Sequence, residues 1–116
     1  MKGQLGDLVR LRHILDAIQY INKFTQDIDK EKFISEPMIR FSVERQLEII
    51  GEAANHLSQN TKQLNSEIDW RKIVAFRNFI VHEYFGVDLE LVWDIVENKI
   101  PVLEREVLAL IEKINI

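Results

Sequence analysis

Apolar residues recur along this chain at intervals of three and four, the spacing that lines one face of a helix, and no stretch shows the period of two that marks a strand. The first stripe is Leu8, Leu11, Leu15, Ile18, Ile21 and Phe24, with Arg10, Arg12, Asp16 and Asn22 outside it, and Asp7 is placed to cap a helix opening near Gly6. The charged run from Asp27 to Lys32 then breaks the pattern. A second helix enters through Ser35-Glu36-Pro37, where proline's missing donor costs nothing, continues through Ile39, Val43, Leu47, Ile50, Ala54 and Leu57, and ends near Ser58. Residues 59–67 are polar and turn-like, with room for one helical turn. Asp69 caps a third helix starting at Trp70, which Gly86 would stop.

The last segment begins at Asp88 and keeps one seam through Leu89, Val92, Val96, Ile100, Leu103, Val107, Leu110 and Ile114. Pro101 lies inside it, lacking a backbone donor and clashing with the preceding turn, so a kink or a break into two helices sharing a face is expected. These elements predict an all-α fold, a compact up-down bundle of four to five helices forming a single domain over residues 1–116.

The third helix departs from its neighbours. Trp70, Ile73, Val74, Ala75, Phe76, Phe79, Ile80, Val81, Tyr84 and Phe85 leave almost no sector of it polar, and a helix apolar all round needs cover on every side. A bundle this small buries one stripe per helix, so a homodimer packed around the third helix is expected.

Composition narrows the function classes. The 116 residues carry 15 Lys and Arg against 19 Asp and Glu, a formal net charge of -4, which argues against a polybasic coat for nucleic acid or for a membrane surface. There is no cysteine, hence no disulfide framework and no thiolate metal site. No window approaches the roughly 18 uninterrupted apolar residues of a membrane span. A cytoplasmic protein without a membrane association is expected.

The polar residues embedded in the third helix are Arg77, Asn78, His82 and Glu83, joined by the hydroxyl of Tyr84. A guanidinium forks onto phosphate oxygens, an imidazole carries a proton near neutrality, and an amide can orient either one, a set suited to phosphodiester chemistry. At about 100° per residue, Arg77 and His82 stand roughly 140° apart on a straight helix, whereas Arg77 and Tyr84 nearly eclipse. Either the helix end is distorted near Gly86 or the cluster is completed across a two-fold axis. The plainer alternative makes Arg77 a salt-bridge partner of Glu44 or Glu48, His82 a satisfied core histidine and Tyr84 core; composition alone favours it.

The arrangement Arg-x4-His-x-Tyr, present as Arg77, His82 and Tyr84, resembles the signature of HepT-like toxins of the HEPN superfamily. The segments Glu44-Arg45-Gln46-Leu47-Glu48-Ile49-Ile50-Gly51-Glu52-Ala53, Asp69-Trp70-Arg71-Lys72-Ile73-Val74 and Glu83-Tyr84-Phe85-Gly86-Val87-Asp88 are similar to that family as well, in order and across nearly the whole chain. The resemblance implies an all-helical homodimer with a cleft between protomers, where Arg77 and His82 serve metal-independent cleavage of RNA and Asn78 takes the polar place after the arginine. It also implies that Tyr84 accepts AMP groups from a cognate minimal nucleotidyltransferase antitoxin using ATP, which silences the toxin. Glu83, Glu48 and Arg45 are candidates to line the cleft. No cofactor and no metal is implied. A reading of another class makes the chain a non-catalytic helical binding subunit, or the modified substrate, of that nucleotidyltransferase.

Glu44, Glu48, Glu52 and His56 recur at four-residue spacing, but helical di-metal sites use Glu-x-x-His from two helices, and no second copy occurs here. A solvated or salt-bridged acidic face, pairing with Arg45 or Arg77, fits the row better. His13 and His56 read as surface or capping residues.

Overall fold

The computed structural model describes the backbone of residues 2–65, 67–82 and 88–115 and, within these, every side chain except those of 2–5, 78–82 and 115. Its described residues form helices and the turns between them, with no strand. The first apolar stripe becomes α1 (Lys2–Phe24), on which Leu11, Ile14, Ala17, Ile18 and Ile21 are buried. Asp7 is not its cap. The helix starts earlier, and Asp7 sits on its inner face, only 2% exposed. There its carboxylate accepts hydrogen bonds from the Ser58 backbone N–H at 3.1 Å and from the hydroxyls of Ser58 and Thr61. Burial alone would raise the Asp7 pKa; the Ser58 and Thr61 hydroxyls, the Ser58 N–H and the nearby Arg10 outweigh it and hold the carboxyl below its usual range.

The charged break after α1 contains a helix of its own. Thr25 to Asp27 turn the chain, with Asp27 at φ 60°, a conformation that an aspartate tolerates better than most residues. Asp29 then caps α2 (Lys30–Ser35) by accepting from Lys32 N–H at 2.8 Å. What stabilises so short and charged a helix is Phe33, fully buried with its ring 5.3 Å from that of Trp93. Pro37 opens α3 (Pro37–Asn55) as its sequence position suggests, and the polar stretch that follows holds the short α4 (Gln59–Gln63), capped by Ser58.

Asp69 accepts from Lys72 N–H at 3.2 Å where α5 (Trp70–His82) begins. Gly86, read as its stop, lies outside the described residues. Beyond that gap Asp88 caps α6 (Leu89–Asp94), which runs through a π-helical turn, Ile95–Lys99, into α7 (Ile100–Asn115). The disturbance expected from Pro101 therefore falls just before it. The wider turn keeps the apolar seam aligned: Val92, Val96 and Ile100 are spaced four and four, which on an α-helix drifts about 40° per step. All three are buried, as are Leu103, Val107, Leu110 and Ile114 beyond.

In space α3 lies between α1 and α5, α7 packs along α1, and α2 bridges α3 and α6. Lys113 Nζ donates to the Leu64 carbonyl at 3.1 Å, tying the end of α7 to the α4 corner. On α5, Trp70 and Ile73 are buried, Val74 and Phe76 are half-buried and Ala75 is exposed, so this helix is covered on one side at its described positions. The expected all-round apolar surface involves Phe79, Ile80 and Val81, whose side chains are not among those described, and Tyr84 and Phe85, which lie outside the described residues. Among the described residues, no helix is long and apolar enough to cross a membrane.

Candidate active site

The site is positioned by the crossing of α3 and α5. Gly51 is the residue of α3 at the closest approach: a Cβ there would stand 2.7 Å from the Arg77 nitrogen and 2.8 Å from the Arg77 Cβ. Only a residue without a side chain lets the two backbones meet so closely, which is the physical reason for a glycine inside an otherwise regular helix. The contact fixes the backbone of Arg77 directly beside the residue that follows Gly51.

That next residue is Glu52. Its Oε2 accepts from Arg77 Nη1 at 2.7 Å, while its Oε1 lies 3.0 Å from Nε2 of His56 one helical turn further on. Hydrogen bonding from Arg77 first, and from His56 second, holds the Glu52 carboxyl below the usual glutamate range. One carboxylate thus joins a guanidinium from α5 to an imidazole from α3. A lone ion pair at this half-exposed position contributes little to stability in water, so its main consequence is geometric: it restrains where the guanidinium points.

Around this pair the chain forms an open cleft of about 700 Å³ between α1, α3 and α5, lined by Gly6, Val9, Arg10, His13, Arg45, Glu48, Ile49, Glu52, Ala53, His56 and Arg77. Arg45 and Glu48, one turn apart on α3, pair at 3.0 Å. The acidic row of α3 therefore divides. Glu48 and Glu52 face the cleft, whereas Glu44 does not line it, and burial, opposed by Arg40 and reinforced by Glu48, pushes its carboxyl up. Among the described residues no three His, Asp or Glu side chains converge as metal ligands.

The structure brings Arg77, Arg45 and Glu48 of the sequence-derived candidates to one cleft. The Arg77 partner is Glu52 rather than Glu44 or Glu48, because the Gly51 crossing sets the register between the helices. Asn78 and His82 lie on α5, but their side chains are not among those described; Glu83 and Tyr84 lie outside the described residues. The sequence reading of the acidic row as a face that pairs with Arg45 or Arg77 is met by Glu48 with Arg45 and Glu52 with Arg77, while the choice of Glu52 for Arg77 depends on the Gly51 crossing. The sequence also placed His13 and His56 on the surface; both are exposed, yet both line the cleft. Nothing in the local pattern of α1 indicates that Arg10 and His13 share a cavity with Arg77, since that depends on how the helices pack.

A family model described as ribonuclease HepT-like matches residues 14–110, a span containing the Gly51 crossing, Glu52 and the whole Arg77 to Tyr84 motif. The chain is 40% identical to the "Probable ribonuclease HepT" of Thermococcus cleftensis, over 81% of this chain and 86% of that one. It is 39% identical to a "Putative RNase" of Methanocaldococcus jannaschii, over 84% of this chain and 89% of the other. A longer protein of the same organism, named "Gamma-glutamylcyclotransferase and putative RNase", matches at 34% identity over 92% of this chain but only 48% of its own length. No solved structure matches the chain. With its Arg77 motif and nearly all its helices inside the matched span, the chain belongs to the ribonuclease HepT-like family.

Proposed function

We propose that this chain is the toxin of a toxin-antitoxin pair: a homodimeric, metal-independent ribonuclease that cleaves RNA through Arg77 and His82, with Asn78 beside them. A cognate minimal nucleotidyltransferase silences it by transferring AMP from ATP to Tyr84, with release of pyrophosphate. The observation that carries the reading is the anchoring of Arg77 by Glu52 at the wall of a cleft, on the helix that bears the Arg-x4-His-x-Tyr motif of a HepT-like family member.

The chemistry needs three things: an acceptor for the ribose 2′-hydroxyl proton, a donor for the departing 5′-oxygen and positive charge on the phosphorane between them. In this reading the 2′-oxygen attacks phosphorus, the P–O5′ bond breaks, and imidazole takes the first proton and returns one to the 5′-oxygen. Arg77 clamps the non-bridging oxygens with a fork that Glu52 holds in place. The products are a 2′,3′-cyclic phosphate and a 5′-hydroxyl end. Because Arg77 and His82 stand roughly 140° apart on a straight helix, each site combines Arg77 of one protomer with His82 of its partner. AMP on Tyr84 adds a bulky anion that competes with RNA for the same guanidinium.

Arg77 variants test the reading. Arg77→Ala, and Arg77→Lys, which keeps charge but loses the fork, should each lower RNA cleavage by roughly 100-fold or more while leaving the far-ultraviolet spectrum unchanged. Full cleavage by Arg77→Ala would sink the reading.

A further inference from the structure

Among the described residues the cleft is lined by three arginines and two glutamates, and each glutamate has an arginine of its own: Glu48 pairs with Arg45 at 3.0 Å and Glu52 with Arg77 at 2.7 Å. Arg10, on the α1 wall, makes no ion pair with any described carboxylate. Asp7, one turn before it, already accepts from the Ser58 N–H and from the Ser58 and Thr61 hydroxyls. Asp7 thus attracts Arg10 as a nearby charge, while its hydrogen bonds go to Ser58 and Thr61 and none of the described carboxylates forms a direct ion pair with the Arg10 guanidinium. Gly6 helps to seat it: the Arg10 Nη1 lies 2.8 Å from the place where a Cβ on residue 6 would stand, so the guanidinium lies along the helix in space that a side chain would fill.

Beside that charge the wall is apolar. Val9 is 48% exposed, and with Ile49 and Ala53 it gives the cleft an oily strip next to Arg10 and the exposed ring of His13. A small inorganic anion makes no use of such a strip. A nucleotide does, because it presents a phosphate to a guanidinium and the face of a ribose or base to aliphatic and ring carbons.

We propose that Arg10 and His13 form a second subsite of the cleft, one that binds a phosphate and the adjoining nucleoside of a single-stranded RNA flanking the bond presented to Arg77. The subsite rests on the ribonuclease reading and adds to it a wall of α1 that grips substrate without taking part in proton transfer. Its contribution is uniform binding: it raises the affinity for RNA and leaves the chemical step alone.

The test measures binding of a labelled 12-nucleotide RNA of mixed sequence to the full chain carrying His82→Ala, at several salt concentrations. Adding Arg10→Gln should weaken binding roughly tenfold and reduce the slope of log affinity against log salt by about 0.7, the increment for one phosphate contact on a single strand. His13→Gln, at an exposed position that tolerates change, should weaken binding by a few-fold and carries the test should Arg10→Gln fail to fold. Arg12→Gln, on the same helix but outside the cleft, should alter neither quantity. With His82 restored, Arg10→Gln should raise KM and keep kcat within about twofold. Wild-type affinity in Arg10→Gln and His13→Gln, equal losses in Arg10→Gln and Arg12→Gln, or a fall in kcat with binding intact would each overturn the subsite. Cleavage of RNA with binding independent of Arg10 removes the subsite alone. Arg10-dependent binding by a protein that cleaves no RNA removes the ribonuclease reading and keeps the subsite.

Discussion

Two carboxylates in this chain are held below their usual range by opposite surroundings. Asp7 is buried and satisfied by three donors, whereas Glu52 stands in solvent between Arg77 and His56. Asp7 is therefore the residue whose loss costs stability. Asp7→Ala leaves the Ser58 and Thr61 donors unpaired in the core and should destabilise the fold by about 2 to 3 kcal/mol in urea titrations at pH 7. The pH dependence follows from the direction of its shift. A folded pKa below the ordinary 3.8 means that the ionised form stabilises the fold above that value, and this stability is lost as pH falls through the lowered folded pKa. The acid limb of the wild-type stability curve should flatten in Asp7→Asn; an unchanged limb would assign acid unfolding elsewhere. The sequence shows Asp7 next to an apolar stripe and invites a cap reading. Its partners lie more than fifty positions away, at the α3–α4 corner, and no local pattern could name them. Arg77 was legible by type and by motif, and its anchor as a member of the α3 acidic row; which member it meets depends on the helix crossing.

At the scale of elements, the stripes of α1, α3, α5 and α7 were legible because each carries apolar residues at three- and four-residue spacing, and the entrances of α3 and α5 were legible from Pro37 and Asp69. The short α2 was not, because its charged residues dominate the local pattern and its single buried anchor, Phe33, finds Trp93 only in the folded chain. The π turn was not legible from the four-and-four spacing of Val92, Val96 and Ile100, since Ile39, Val43 and Leu47 share that spacing within the regular α3. The crossing of α3 and α5 is the contact on which the site depends. Gly51→Ala would push a methyl into the Arg77 backbone rather than into a flexible side-chain end. It should cost about 1 to 3 kcal/mol and lower cleavage more than the loss of stability explains, since Arg77 shifts with its helix. Gly51→Ala with wild-type stability and activity would show that the crossing is looser than this geometry requires.

At the scale of the whole molecule, a site that combines Arg77 of one protomer with His82 of its partner needs two chains. The protein should sediment as a dimer of its 13.7 kDa chain, and a mixture of Arg77→Ala and His82→Ala protomers, refolded together, should recover activity that neither variant shows alone. Recovery follows because a mixed dimer whose two sites each combine residues of both protomers regains one intact Arg77/His82 pair. A helix-end distortion that paired the two residues within one protomer would give no such recovery. The central claim, that this chain cleaves RNA through its own Arg77 and His82, is tested most directly by incubating end-labelled cellular RNA with unmodified protein in excess EDTA, beside His82→Ala, and identifying the product ends. The expected result is cleavage that survives chelation, leaves 2′,3′-cyclic phosphate and 5′-hydroxyl ends, and disappears in the variant. Equal cleavage by His82→Ala, or none by the wild type, would contradict it.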